Sequence, residues 1–116
     1  MDTSEKSRTI SHSIPAEFSR TPGPRFQKEG KHSGEEFRET LLGKWFEEAR
    51  DAGAKLFIDF DGGYGYAPSF LEEAFGGLAR KYGSEPVLAI LQLKSDEAPY
   101  LAERVRKSVA QANARI

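Results

Sequence analysis

The sequence predicts a single α/β domain, a small mixed β-sheet of about four strands carrying three helices. Three patterns carry that prediction. Phe37, Leu41, Trp45 and Ala49 recur at intervals of four, as do Phe70, Ala74, Leu78 and Tyr82, and each row makes one apolar helix face. The nearly continuous apolar run "KLFIDF", residues 55–60, reads as a central strand covered on both faces. Strand-like and helix-like stretches alternate along the chain, which implies right-handed parallel crossovers.

Taken in order, residues 1–7, "MDTSEKS", are polar and aperiodic and read as a disordered N-terminal tail before a single domain over residues 8–116. In residues 8–14, Ile10, His12 and Ile14 stand at every second position, a short strand signal. "SRTPGPRF" supplies a turn with Pro22-Gly23 at the centre of a type II geometry, and a short strand at residues 25–28 pairs back antiparallel. Ser33 and Glu36 have capping-box spacing, so the first helix starts there, and Gly53 ends it. After the strand at 55–60, the second helix spans residues 69–82. Pro68 bars its extension backwards, Ser69 with Glu72 repeats the capping spacing, and Gly83 is the C-cap. "PVLAILQL", residues 86–93, has strand length, and a third helix begins near Ser95 with Leu101, Val105, Val109 and Ala112 facing inward.

Composition excludes several functions. With no Cys there are no disulfides, thiolate zinc sites or cysteine nucleophiles. Seventeen basic and eighteen acidic residues leave a net charge of −1, which offers no general field for nucleic acid or an anionic membrane. No apolar run approaches the roughly 18 residues of a bilayer span, and the N-terminus has no signal-peptide core. The chain reads as soluble and cytoplasmic.

The densest stretch is "GYGYAPSFLEEAFGGL", residues 63–78. Gly76 and Gly77 stand inside a helix, where each costs about 1 kcal/mol relative to Ala, and close packing is the reading that tolerates them. Asp59 and Asp61 alternate with Phe60 and leave the strand on one face. That pair, with Glu72, could hold Mg²⁺ or a phosphate in a crevice at the strand end. The simpler account has Asp61-Gly62 opening the turn and Asp59 bonding locally. The loop lacks the Lys-Ser/Thr of a P-loop and the glycine spacing of a dinucleotide fingerprint. His12 and His32 belong to no ligand-spaced cluster. No catalytic set and no cofactor are implied. Ser69 has two readings, an N-cap worth about 1 kcal/mol and a phosphorylation acceptor at a helix start. Tyr64 and Tyr66 are either aromatic anchors for a protein partner or packing over the end of the sheet.

"LFIDFDGGYGYAPSFLEEAFGGL" resembles the STAS-like domains of bacterial proteins, relatives of the anti-sigma factor antagonists. Asp59 is similar to the family's strand Asp, Ser69 to its helix-start Ser, and "SFLEEAFG" to its Ser-Phe-x-x-Glu-x-Phe-Gly run. "PGPRFQKEGKHSGEEFRETLL" is similar to the variant's upstream segment, so the resemblance covers roughly residues 18 to 93. It implies a non-enzymatic regulatory domain that binds proteins. In true antagonists the partner is a switch kinase of histidine-kinase-like ATPase fold, which phosphorylates a Ser in an Asp-Ser motif; here Pro68 stands in place of that Asp. The docking surface implied is loop 62–69 and the start of the second helix, with Asp61, Tyr64, Tyr66, Ser69 and Phe70 as contact residues.

Overall fold

The computed structural model describes residues 8–112; the tail expected at residues 1–7 lies outside them. Three strands, β1 (Thr9–Ser13), β2 (Lys55–Asp59) and β3 (Leu91–Lys94), form an all-parallel sheet in the order β1-β2-β3. Five helices accompany it. α1 is the single turn Ile14–Glu17, and α2 runs over residues 34–52 as α-helical Gly34–Phe37, a π-helical turn Arg38–Leu42 and α-helical Gly43–Ala52. α3 covers residues 68–82 in the same manner, with Pro68–Leu71, the π turn Glu72–Gly76 and Gly77–Tyr82. α4 is Ser84–Ile90 and α5 is Tyr100–Ala110.

The paired π turns explain the strict rows of four. An α-helix turns about 100° per residue, so each step of four overshoots by about 40° and three steps carry a row about 120° around the helix. One wider π turn winds the row back. Phe37, Trp45 and Ala49 on α2, and Phe70, Ala74 and Leu78 on α3, all end up buried in one core.

One of the four expected strands is absent and another is shortened. Residues 25–28 do not pair with β1, and Gln27–Glu29 is a single 3-10 turn. The carbonyls of Pro24 and Arg25 instead accept the first-turn N–H groups of α2, from Gly34 at 2.9 Å and Glu35 at 3.0 Å. Gly23 does not take the positive φ of a type II turn. Its role is close approach, since a Cβ there would stand 2.2 Å from the Lys31 carbonyl oxygen. The apolar run at 86–93 divides into helix α4 and then β3. Pro86 lies in the first turn of α4, where its missing N–H costs nothing.

The helix ends follow the sequence more closely. Ser33 Oγ accepts the Glu36 N–H at 3.0 Å, while the Glu36 carboxylate takes the N–H of His32, one residue before the cap. Gly53 closes α2 in the left-handed conformation, φ 64°. Leu101, Val105, Val109 and Ala112 are buried as their spacing predicts. α5 starts later than expected, after Pro99.

Among the described residues the sheet is covered on one face only, where the run 55–60 predicted cover on both. Across it, Ile10, Leu56 and Leu91 stand side by side on the covered face, and Ser11, Phe57 and Gln92 on the bare one. Leu56 and Ile58 are fully buried; Thr9, Ser11 and Gln92 are exposed, with Phe57 half-buried among them. Topology accounts for this. Strands added in one direction by right-handed crossovers put every connecting helix on the same side. The order β1-β2-β3 also lacks the reversal at which α/β sheets open a ligand crevice.

Candidate functional site

The carboxyl end of the sheet is tied shut by side chains. Asp59 Oδ1 accepts the Asp61 N–H at 2.9 Å, the local bond its position predicts. The Asp61 carboxylate then accepts from Lys94 Nζ at 2.6 Å and from the backbone N–H groups of Asp96 and Glu97 at 3.1 and 3.0 Å. Glu97 returns a bond, its Oε1 accepting the Gly62 N–H at 2.9 Å. The β2–α3 loop and the β3–α5 loop are thereby fastened to each other. Lys94 and the Glu97 N–H hold the Asp61 carboxyl below its ordinary range, and Asp61 in turn raises Lys94. The ammonium of Lys94 sits where a cation on Asp61 would bind. Among the described residues no three His, Asp or Glu gather to hold a metal ion.

The two tyrosines of the loop part company. Tyr66 turns inward, its hydroxyl donating to the Phe60 carbonyl at 2.7 Å and its ring edge-on to Phe60, with centroids 5.1 Å apart. Burial, and then the charges of Asp59 and Asp61, push its pKa upward. A Cβ at Gly63 would stand 2.8 Å from that hydroxyl, which explains the glycine. Tyr64 is held only by its backbone, N–H to the Arg20 carbonyl at 2.8 Å, and its side chain is 78% exposed.

α3 begins one residue earlier than its spacing suggests. Ala67 is the N-cap, Pro68 the first helical residue and Ser69 the second, so Ser69 is half-buried on the first turn and not a cap. Phe70, assigned to the docking surface, is fully buried between Phe37 and Tyr66 and faces away from any partner. Glu72 is gripped by Arg25 and, at 2.8 Å, by Arg80. Glu73 binds Arg38, which donates to its carboxylate at 2.6 Å and its carbonyl at 2.8 Å. Arg25 approaches Glu73 as well, at 3.5 Å.

This lattice explains the double glycine. A Cβ at Gly77 would stand 2.5 Å from Arg38 Nη1, and one at Gly76 would stand 2.9 Å from Glu72 Oε2. The glycines make room for charged side chains.

Residues 33–101 match the family model of the STAS-like domain of unknown function (DUF4325). The chain belongs to this family. No curated protein and no solved structure matches it. The matched span of this STAS-like domain opens at Ser33, the cap of α2, and closes at Leu101, the second residue of α5, so β1 lies outside it.

Of the five contact residues expected, Asp61 and Tyr66 are engaged in the closure of the strand end, Phe70 is in the core, and Tyr64 and Ser69 reach the surface. Sequence reading missed Lys94, Glu97 and the three arginines. The adjacent acids Glu72 and Glu73 in a helix facing the core were the visible hint, since acids placed there need cations. No helix of the described residues is long and apolar enough to cross a membrane.

Proposed function

We propose that this STAS-like domain is a non-enzymatic regulatory module that docks a protein partner through loop 62–69 and the first turn of α3. Tyr64 carries the reading. A large aromatic, 78% exposed, stands on a loop whose backbone and neighbours are fixed on both sides. An aromatic on a backbone already held needs only its side chain ordered on binding, which favours it as an interface anchor.

Ser69 is the switch in this proposal. A phosphate at the second helical position lies beside the free N–H groups of the first turn. Glu72 and Glu73, which follow it on the same helix, are already paired with Arg25, Arg38 and Arg80, so their repulsion is offset. The partner class proposed is a switch kinase of histidine-kinase-like ATPase fold, in a bacterial cytoplasm, as the resemblance implies.

The test is a pull-down from host lysate with and without ATP, using wild type, Tyr64→Ala and Ser69→Asp, with the intact mass of the recovered bait. Loss of an ATPase-like partner in both variants, with a gain of about 80 Da on wild type in ATP, is the expected result. Equal capture by all three forms with no mass change sinks it.

A further inference from the structure

A cavity of about 640 Å3 opens between the start of α3 and the outer side of α5. Pro68 and Leu71 line it from α3, while Tyr100, Arg104, Lys107 and Gln111 line it from α5. The α5 residues recur at steps of four, three and four, so they form one stripe beside the buried stripe of Leu101, Val105 and Val109. Tyr100 is 59% exposed, and the Arg104 guanidinium lies over its ring at 5.2 Å.

The charges of this groove are unequal. Glu72 reaches it, but Arg25 and Arg80 already hold its two oxygens. Arg104 and Lys107 are exposed and have no carboxylate within ion-pair distance among the described residues. Against these two cations the lining offers one further acid, Glu103. A Tyr and an Arg beside an apolar floor are the residue types that dominate binding energy at interfaces.

We infer that the α3–α5 groove seats an acidic amphipathic helix of a partner protein. Its apolar face lies on Tyr100 and Pro68, and its carboxylates meet Arg104 and Lys107. A helix fits because the α5 stripe from Tyr100 to Gln111 runs about 17 Å, some three turns. The inference rests on the docking reading and extends it from the loop to the adjoining helices.

The full chain, 15N-labelled, is titrated with two synthetic amphipathic helical peptides that share leucine positions, one carrying glutamates and the other lysines. The acidic peptide is expected to shift the amides of Leu71, Glu72, Arg104, Lys107 and Ser108, and the basic peptide is not. The double variant Arg104→Glu, Lys107→Glu, with an unchanged far-UV CD spectrum, is expected to weaken the acidic peptide at least about tenfold. Gln92→Ala, on the bare face of the sheet, is expected to leave that affinity unchanged. Equal binding of both peptides, an unmoved affinity in the double variant, shifts confined to other surfaces, or tighter binding of a single-stranded oligonucleotide each overturn the inference. Absence of peptide binding beside a lysate partner lost in Tyr64→Ala would discard the groove and leave the loop reading intact.

Discussion

The two flanks of α3 treat charge in opposite ways. Toward α2 and the loop before it, every carboxylate is met: Glu72 by Arg25 and Arg80, Glu73 by Arg38 and Arg25. Toward α5, Arg104 and Lys107 are exposed without a counter-ion among the described residues. Polar groups that are fully satisfied rigidify a fold, because leaving any one of them alone is costly. Cations in water, beside an exposed tyrosine, contribute little to stability and remain available for recognition. One helix thus has a side of paired charges and a side facing cations unpaired among the described residues, and stability measurements should separate them.

Glu73→Ala should show the largest effect, a loss of about 2 kcal/mol in urea unfolding. It leaves Arg38 and Arg25 partly buried without their acid, and their own partial exposure softens the penalty. Tyr66→Phe, at the head of the helix, should cost about 1 kcal/mol for the bond to the Phe60 carbonyl. Its pH dependence sharpens the point. The fold raises the Tyr66 pKa above the ordinary 10.0, so it favours the protonated phenol. That stabilisation is complete below about pH 10 and is lost as pH rises further. The urea midpoint of wild type should therefore fall faster above pH 10 than that of Tyr66→Phe; parallel curves would remove the phenol from the closure. Arg104→Ala should change stability by less than about 0.5 kcal/mol. A loss there as large as that of Glu73→Ala would erase the distinction between the flanks.

What could be read in the sequence was local. Gly53 and Gly83 mark helix ends because a chain reversal needs them wherever it occurs. The inward faces of α2, α3 and α5 follow from spacing alone. The four-residue rows also encoded the π turns, since no straight α-helix keeps such a row on one face for four repeats; that signal was present and unread. The errors arose where partners are distant. Residues 25–28 look extended, but the carbonyls of Pro24 and Arg25 serve α2, and nothing near them in the chain says so. Residues 86–93 are apolar throughout, and such a run is compatible with helix or strand until Gly83 and Pro86 divide it. Tyr64 and Tyr66 are chemically identical and two residues apart; only the position of the Phe60 carbonyl separates the exposed ring from the pinned one.

The all-parallel sheet has a further consequence, for the order in which the molecule assembles. Antiparallel sheets begin with hairpins, whose strands meet across a few residues. Here Thr9 meets Lys55 and Leu56 meets Leu91, each pairing reached only across two intervening helices. The entropy of closing those long loops must be met before any strand–strand bond forms. The Phe37–Phe70 contact between α2 and α3 spans 33 residues, about as many as the 35 between Leu56 and Leu91, so helix packing and strand pairing meet a similar cost and are expected to form together. The kinetic expectation is slower refolding than that of a hairpin-built domain of equal length.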